Sequence, residues 1–397
     1  MKNQVKIGLS LLRDNLIGEL YGKKVALLCH SASVDENFKH IIDILVDAGI
    51  ELKKIFAPEH GLFSTEQDQQ TVRNDWHKKY KIPIVSLYGK NFQSLKPKEE
   101  ELQGIDVVII DLQDVGSRYY TFVWTAFLLI EVAAEMGIEI WILDRPNPIT
   151  AEIVEGAVQE EEFLSFVGLL PLAIRHGMTI AEILLYGCMA KNLPSPRIIK
   201  MKNYRRDMWF DETGLPWVMP SPNMPTVQTA TVYPGMCLLE GANISEGRGT
   251  TKPFEIFGAP FIDPFVFCDK VNSLAAEYNF LGGFRLRPIY FIPAFNKFYG
   301  KRCGGAQIHI VKREEFNPVI VAFAILKTII KLYPDEFYFK EPPYEFESVK
   351  RPFDILSGSS IWREMLIKNA PLDEFRGMFD EMAGNFEGTR KKFLIYQ

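Results

Sequence analysis

Ile105-Asp106-Val107-Val108-Ile109-Ile110-Asp111-Leu112-Gln113-Asp114-Val115-Gly116 is the stretch on which the fold turns. Its apolar run is too short for a globular helix. It is also apolar at consecutive positions, where a half-solvated strand would alternate. A strand buried on both faces has this signature, and such strands belong to parallel sheets covered on both sides. Outward from it, Lys24–Cys29, Leu52–Ala57, Ile82–Leu87 and Ile138–Asp144 are runs of the same kind. Between them, Asn37–Ala48 carries a helical apolar face that Gly49 ends. Thr121–Met136 is a second helix, stopped by Gly137. Strands alternating with helices predict an α/β fold with a Rossmann-like, open, doubly wound parallel sheet.

Further along the chain the pattern loosens. Thr179-Ile180-Ala181-Glu182 is a capping box that opens a helix toward Met189. Pro220–Pro225 reads as extended chain. Gly241–Pro260 is rich in Gly, Thr and Pro without a period, and is read as the junction between domains. Beyond it, Phe261–Tyr278 and Pro318–Leu332 read as helices, and Arg285–Ile292 and Gln307–Val311 as strands. The expectation is a Rossmann-like catalytic domain over 1–245 and a smaller α+β auxiliary domain over 246–397.

Composition narrows the function. The 397 residues carry 45 Lys+Arg against 50 Asp+Glu, a net charge of −5, with 47% hydrophobic residues. That is the profile of a globular protein without the basic face that nucleic acid or an anionic membrane requires. No run approaches the ~18 apolar residues of a membrane span. The N-terminal apolar stretch is broken by Arg13 and Asp14, a poor secretory signal. Five cysteines without a CxxC pair fit a reducing compartment, so a cytoplasmic location is expected. There is no GxGxxG after the first strand, no P-loop, no HExxH and no GxSxG. No cofactor and no metal are expected, and carboxylate chemistry remains.

Ligands of open α/β sheets bind beyond the carboxyl ends of the strands. Four ends converge here: Cys29-His30-Ser31, Pro58-Glu59-His60-Gly61, Asp111 to Gly116, and Asp144-Arg145-Pro146-Asn147-Pro148. A carboxyl at the rim of a half-buried crevice suits general-acid work, which singles out Glu59, with His60 beside it. Asp111 caps the next helix or faces the ligand, and Gln113 and Asp114 share its loop. Arg118 with Tyr119 and Tyr120 suits a sugar bearing a carboxylate, or else pairs with Asp114. Prolines hold Asp144, Arg145 and Asn147 in fixed directions. Asn223 lies in Ser221–Thr226, Glu246 and Arg248 lie among glycines, and His176 precedes the capped helix.

Several of these segments, in order, resemble the signature of the exo-β-N-acetylmuramidase (NamZ-like) family. They are Phe56–Gly61, Asp111–Thr121, Asp144–Pro148, His176–Thr179, Pro220–Thr226 and Glu246–Thr251. Phe254-Glu255 and Gly258-Ala259-Pro260 follow them. The chain departs from the family pattern at Cys29–Ala32 and Ile149–Ala151. The resemblance implies a glycoside hydrolase that releases N-acetylmuramic acid from the non-reducing ends of peptidoglycan fragments. It also implies a site in the cleft between a Rossmann-like and an auxiliary domain, and Glu59 as the catalytic acid. Glu59, His60 and Asp114 are then the expected catalytic set. Asp111, Asp144 and Glu246 are alternatives to Asp114 as the second carboxylate, and substrate assistance by the acetamido group is another. Arg118, Arg145 or Arg248 would meet the lactyl carboxylate, and Asn223 a hydroxyl or the acetamido group. Gln113, Tyr119, Tyr120, Asn147 and His176 complete the expected binding set. The alternative reading is a non-catalytic binding protein for amino-sugar or peptidoglycan fragments on the same scaffold.

Overall fold

The computed structural model describes residues 4–67, 70 and 75–397. In chain order the strands are β1 (Lys24–Cys29), β2 (Glu51–Ala57), β3 (Asp75–Trp76), β4 (Pro83–Ser86), β5 (Val107–Asp111), β6 (Glu139–Leu143), β7 (Glu155–Val158), β8 (Ala173–Arg175), β9 (Arg197–Ile199), β10 (Ile256–Ala259), β11 (Phe284–Phe291) and β12 (Cys303–Ile310). The main sheet has seven strands in the order β3-β4-β2-β1-β5-β6-β9. Its pairings are parallel except for the edge pair β3–β4.

The decisive stretch is the central strand β5, buried throughout between β1 and β6. Val108 and Ile110 face one hydrophobic cluster, and Val107 and Ile109 face another. Apolar side chains therefore stand at every position, because both faces of the sheet are covered. The helices Phe122–Glu135 and Ile180–Ala190 contribute to the first cluster, and helix Ile41–Asp47 to the second. The register pairs Cys29 with Asp111 and Ile110 with Ile142. It therefore brings the loops after β1, β5 and β6 to one edge.

Most elements read from the sequence form within a residue or two at each end. The first helix is shorter than expected. Asn37–His40 stays outside it because the Asp35 carboxylate accepts the backbone N–H groups of Asn37 and Lys39, and His40 is the N-cap. The Gly241–Pro260 segment is not wholly irregular, since it contains β10. That strand joins β12 and β11 in an antiparallel sheet ordered β10-β12-β11. Helices Pro264–Glu277 and Pro318–Leu332 pack with this second unit. Among the elements not read from the sequence are the short strands β3 and β9, the β7–β8 pair, helix Val227–Met236 and the C-terminal helices. Among the described residues, no helix is long and apolar enough to cross a membrane.

Candidate active site

β2 ends at Ala57, and the chain then turns sharply. His60 and Gly61 take φ angles of 70° and 77°, and Gly61 N–H closes back on Pro58 O at 3.0 Å. The turn aims Glu59 at the start of helix Phe122–Glu135, where Thr121 Oγ1 donates to Glu59 Oε2 at 2.7 Å. The positive end of that helix favours a carboxylate there. His60 Nδ1 donates to Glu66 O at 2.8 Å, which fixes the ring at the edge of Phe122.

Glu59 and His60 line a narrow cavity of about 40 Å³ together with Tyr119, Tyr120, Ser221, Asn223 and Arg248. A wider cavity of about 330 Å³ continues from it and shares Glu240, Arg248 and Tyr344. Glu246, Lys297 and Lys340 line the wider part. Tyr88 Oη, just beyond β4, donates to Glu345 Oε2 at 3.1 Å and lies between that carboxylate and Glu59. Burial and these two carboxylates push the Tyr88 hydroxyl pKa well up.

Of the residues singled out from the sequence, Glu59, His60, Tyr119, Tyr120, Asn223, Glu246 and Arg248 meet at this cleft. Asn223 Nδ2 donates to Gln67 Oε1 at 2.9 Å, and Tyr119 Oη donates to Pro234 O. Glu246 is held between Lys297 (2.9 Å) and Arg248 (3.1 Å). Burial opposes its charge, but the two cations outweigh burial and keep its pKa below the ordinary carboxylate value.

The others are engaged elsewhere. The Arg118 guanidinium is fully buried and donates to the carbonyls of Ala157, Leu172 and Leu356 at 2.9, 2.6 and 2.7 Å. It neither reaches the cleft nor pairs with Asp114. Arg145 spans both oxygens of Asp111 at 2.6 and 2.8 Å, so each neutralises the other. Asp144 accepts from Thr179 Oγ1, Ala181 N–H and Tyr396 Oη. Gln113 Nε2 donates to Asp114 O and Pro146 O, and Asn147 Nδ2 donates to Met178 O. Asp114 turns into its own loop, where Oδ2 takes Gly116 N–H at 2.7 Å and lies 3.5 Å from His176 Nε2. Asp111, Asp144, Gln113 and Asn147 are thus engaged within the fold, whereas Asp114 Oδ1, His176 Nε2 and Arg118 Nε are buried without a hydrogen-bond partner among the described residues.

The sequence reading missed Tyr88, Thr121, Ser221, Glu240, Lys297, Lys340, Tyr344 and Glu345. Applied to the end of β4, the strand-end rule finds Tyr88. The residues after Leu239 come from the short helix Cys237–Gly241 and from later loops, which only the folded chain brings to the sheet edge. Among the described residues, no group of three or more His, Cys, Asp or Glu gathers as metal ligands would.

The family models described as exo-β-N-acetylmuramidase NamZ match this chain in two parts, N-terminal over residues 25–228 and C-terminal over 231–396. The chain is 39% identical to the peptidoglycan β-N-acetylmuramidase NamZ of Bacillus subtilis (strain 168). That match covers all of this chain and 92% of the relative. Two crystal structures of DUF1343 family proteins from Bacteroides fragilis NCTC 9343 share the fold. One superposes with a TM-score of 0.86 at 30% identity, covering 99% of both chains. The other has a TM-score of 0.73 at 27% identity, covering 100% of this chain and 99% of that one.

Proposed function

The chain belongs to the exo-β-N-acetylmuramidase NamZ family, and from that premise we propose that it releases N-acetylmuramic acid from the non-reducing ends of peptidoglycan fragments, with Glu59 as general acid. It is a glycosidase of the exo-acting β-N-acetylmuramidase class. The observation that carries the assignment of Glu59 is its placement. It is a buried carboxyl at a cavity lip, held by Thr121 at 2.7 Å, with polar and aromatic groups around the space in front of it.

In this reading Glu59 protonates the leaving oxygen as the sugar develops oxocarbenium character. Asp114, the partner expected from the sequence, points away from the cleft. Glu345 takes the second-carboxylate role instead, because Tyr88 places it beside Glu59. His60 fixes the turn that carries Glu59. Asn223 and Ser221 offer hydrogen bonds to the sugar, and Tyr119 and Tyr120 wall its ring. Residues 1–245 supply the acid, and residues 246–397 close the cleft with Arg248, Tyr344 and Glu345.

The test is hydrolysis of a chromogenic β-N-acetylmuramic acid glycoside beside its N-acetylglucosamine counterpart. The expected result is release from the muramic compound alone. In Glu59→Gln, kcat falls by about 10²–10⁴-fold while binding is kept. A Glu59→Gln protein with full activity would remove Glu59 from the mechanism. Binding of the glycoside without release by the unmodified chain would favour the non-catalytic alternative.

A further inference from the structure

The wide part of the cleft carries a charge arrangement that the reaction above does not use. Among the described residues lining it, three cations face two carboxylates. Lys297 Nζ donates to Glu246 Oε2 at 2.9 Å and to the carbonyls of Leu239 and Ile244 at 2.8 Å each, which engages its three N–H bonds. Arg248 Nη1 lies 2.7 Å from Glu240 and 3.1 Å from Glu246, and its guanidinium rests over the Phe254 ring at 5.0 Å. Glu240 also accepts from Tyr344 Oη at 2.8 Å. Both carboxylates are thus neutralised by Arg248 and Lys297.

Lys340 is the cation left over. Its backbone N–H is anchored to Gly241 O at 2.9 Å, which places the residue on the cavity wall. Its ammonium makes no hydrogen bond or ion pair with any described residue. It lies close enough to Lys297 to add to the effect of burial in lowering that lysine's pKa. The cavity measures about 330 Å³, a size that accommodates a small ligand. Among the described lining residues, an ammonium without an ion-pair partner stands beside neutralised pairs, an arrangement that draws one anionic group to Lys340.

We propose that Lys340 receives the carboxylate of an acidic amino sugar in this part of the cleft, and thereby sets the preference for a muramic over a glucosamine ring. Arg248, whose charge two carboxylates already offset, builds the wall rather than binding the acid. This inference rests on the muramidase reading, which it deepens.

The full-length chain is tested with a chromogenic β-N-acetylmuramic acid glycoside and its methyl ester, in which the carboxylate is neutral. In Lys340→Met, KM for the acid rises about ten- to a hundredfold, the loss expected for one charged hydrogen bond. The expected kcat stays within about twofold, KM for the ester is unchanged, and Lys340→Arg recovers most of the loss. Equal effects on acid and ester, or no effect on either, overturn the proposal. If the unmodified chain hydrolyses neither compound, the muramidase reading fails, and calorimetry with free N-acetylmuramic acid and N-acetylglucosamine decides the subsite by itself. Binding of the acid alone, lost in Lys340→Met, sustains it. Equal binding of the two sugars overturns it.

Discussion

Asp144 and His30 are both fully buried, and they tilt the pH dependence of stability in opposite directions. Burial raises Asp144 from 3.8 to about 7, although Tyr396, Thr179 and Ala181 donate to it. The folded state therefore holds a proton that the unfolded chain has lost. The stability this confers is complete below about pH 4 and declines as pH rises to about 7. His30 stands at one of the departures from the family pattern. Its Nδ1 donates to Pro220 O at 3.2 Å while Nε2 accepts Gln113 N–H at 2.9 Å, so the ring is neutral. Burial lowers its pKa to about 3. The stability it confers is complete above about pH 6.5 and lost as pH falls toward 3. Melting temperatures measured from pH 4 to 7 check both signs. Asp144→Asn should remove a decline with rising pH, and His30→Gln, which can keep both hydrogen bonds, should remove a loss toward acid. Curves parallel to the unmodified protein would contradict both assignments. That Glu59, Asn223 and Arg248 gather at a cleft was legible from their strand-end, proline-flanked and glycine-rich settings respectively. That Asp111 and Arg145 neutralise each other was not, because they are far apart in sequence and meet only across β5 and the loop after β6.

At the level of single elements, local chemistry and packing can be separated by two substitutions. The capping box expected at Thr179 forms in full, with Thr179 accepting Glu182 N–H and Glu182 accepting Thr179 N–H. Thr179→Ala is expected to cost about 1–2 kcal/mol in urea unfolding, toward the upper end because Thr179 Oγ1 also holds Asp144 at 2.8 Å. A cost near zero would mean that the cap is redundant. Helix Val227–Met236 has no such local signal, and its sequence contains Pro234 and Gly235, both helix breakers. It forms because Thr229–Met236 is buried against helix Pro318–Leu332. The two come so close that a Cβ on Gly235 would stand 1.9 Å from Pro318 O. Gly235→Ala is therefore expected to destabilise by about 1–3 kcal/mol or more, as overpacking does. An unchanged denaturation midpoint would show that the crossing can relax. Amphipathic or capped helices were readable in advance because their signal is carried along the chain. A helix buried on all sides shows no period.

For the molecule as a whole, Arg118 ties together segments that are distant in the chain. Its bonds to Ala157, Leu172 and Leu356 link the loop after β5 to the β7–β8 pair and to helix Pro352–Ser357. The C-terminal tail also returns to the first part of the chain, where Tyr396 reaches Asp144 at 2.7 Å and Ile395 N–H reaches Glu182 at 2.8 Å. Arg118→Met removes the donor to the buried carbonyls of Ala157, Leu172 and Leu356, of which Leu172 O keeps Gln159 N–H at 3.2 Å, so a loss of about 2–3 kcal/mol is expected, with KM for the glycoside unchanged in the protein that folds. A raised KM at full stability would return Arg118 to the substrate-binding role that its Tyr-Tyr neighbours suggested. The apolar runs, helix stops and capping box were sufficient to establish the α/β class, the central strand and the sheet edge where polar groups collect. They suffice because burial on one or two faces imposes a period that neighbouring residues must obey. Which of those polar groups line the cleft is decided by tertiary structure alone. An arginine or aspartate at a strand end looks the same in sequence whether it meets a substrate or, respectively, a backbone carbonyl or N–H. The difference lies in what distant parts of the chain place within about 3 Å of it.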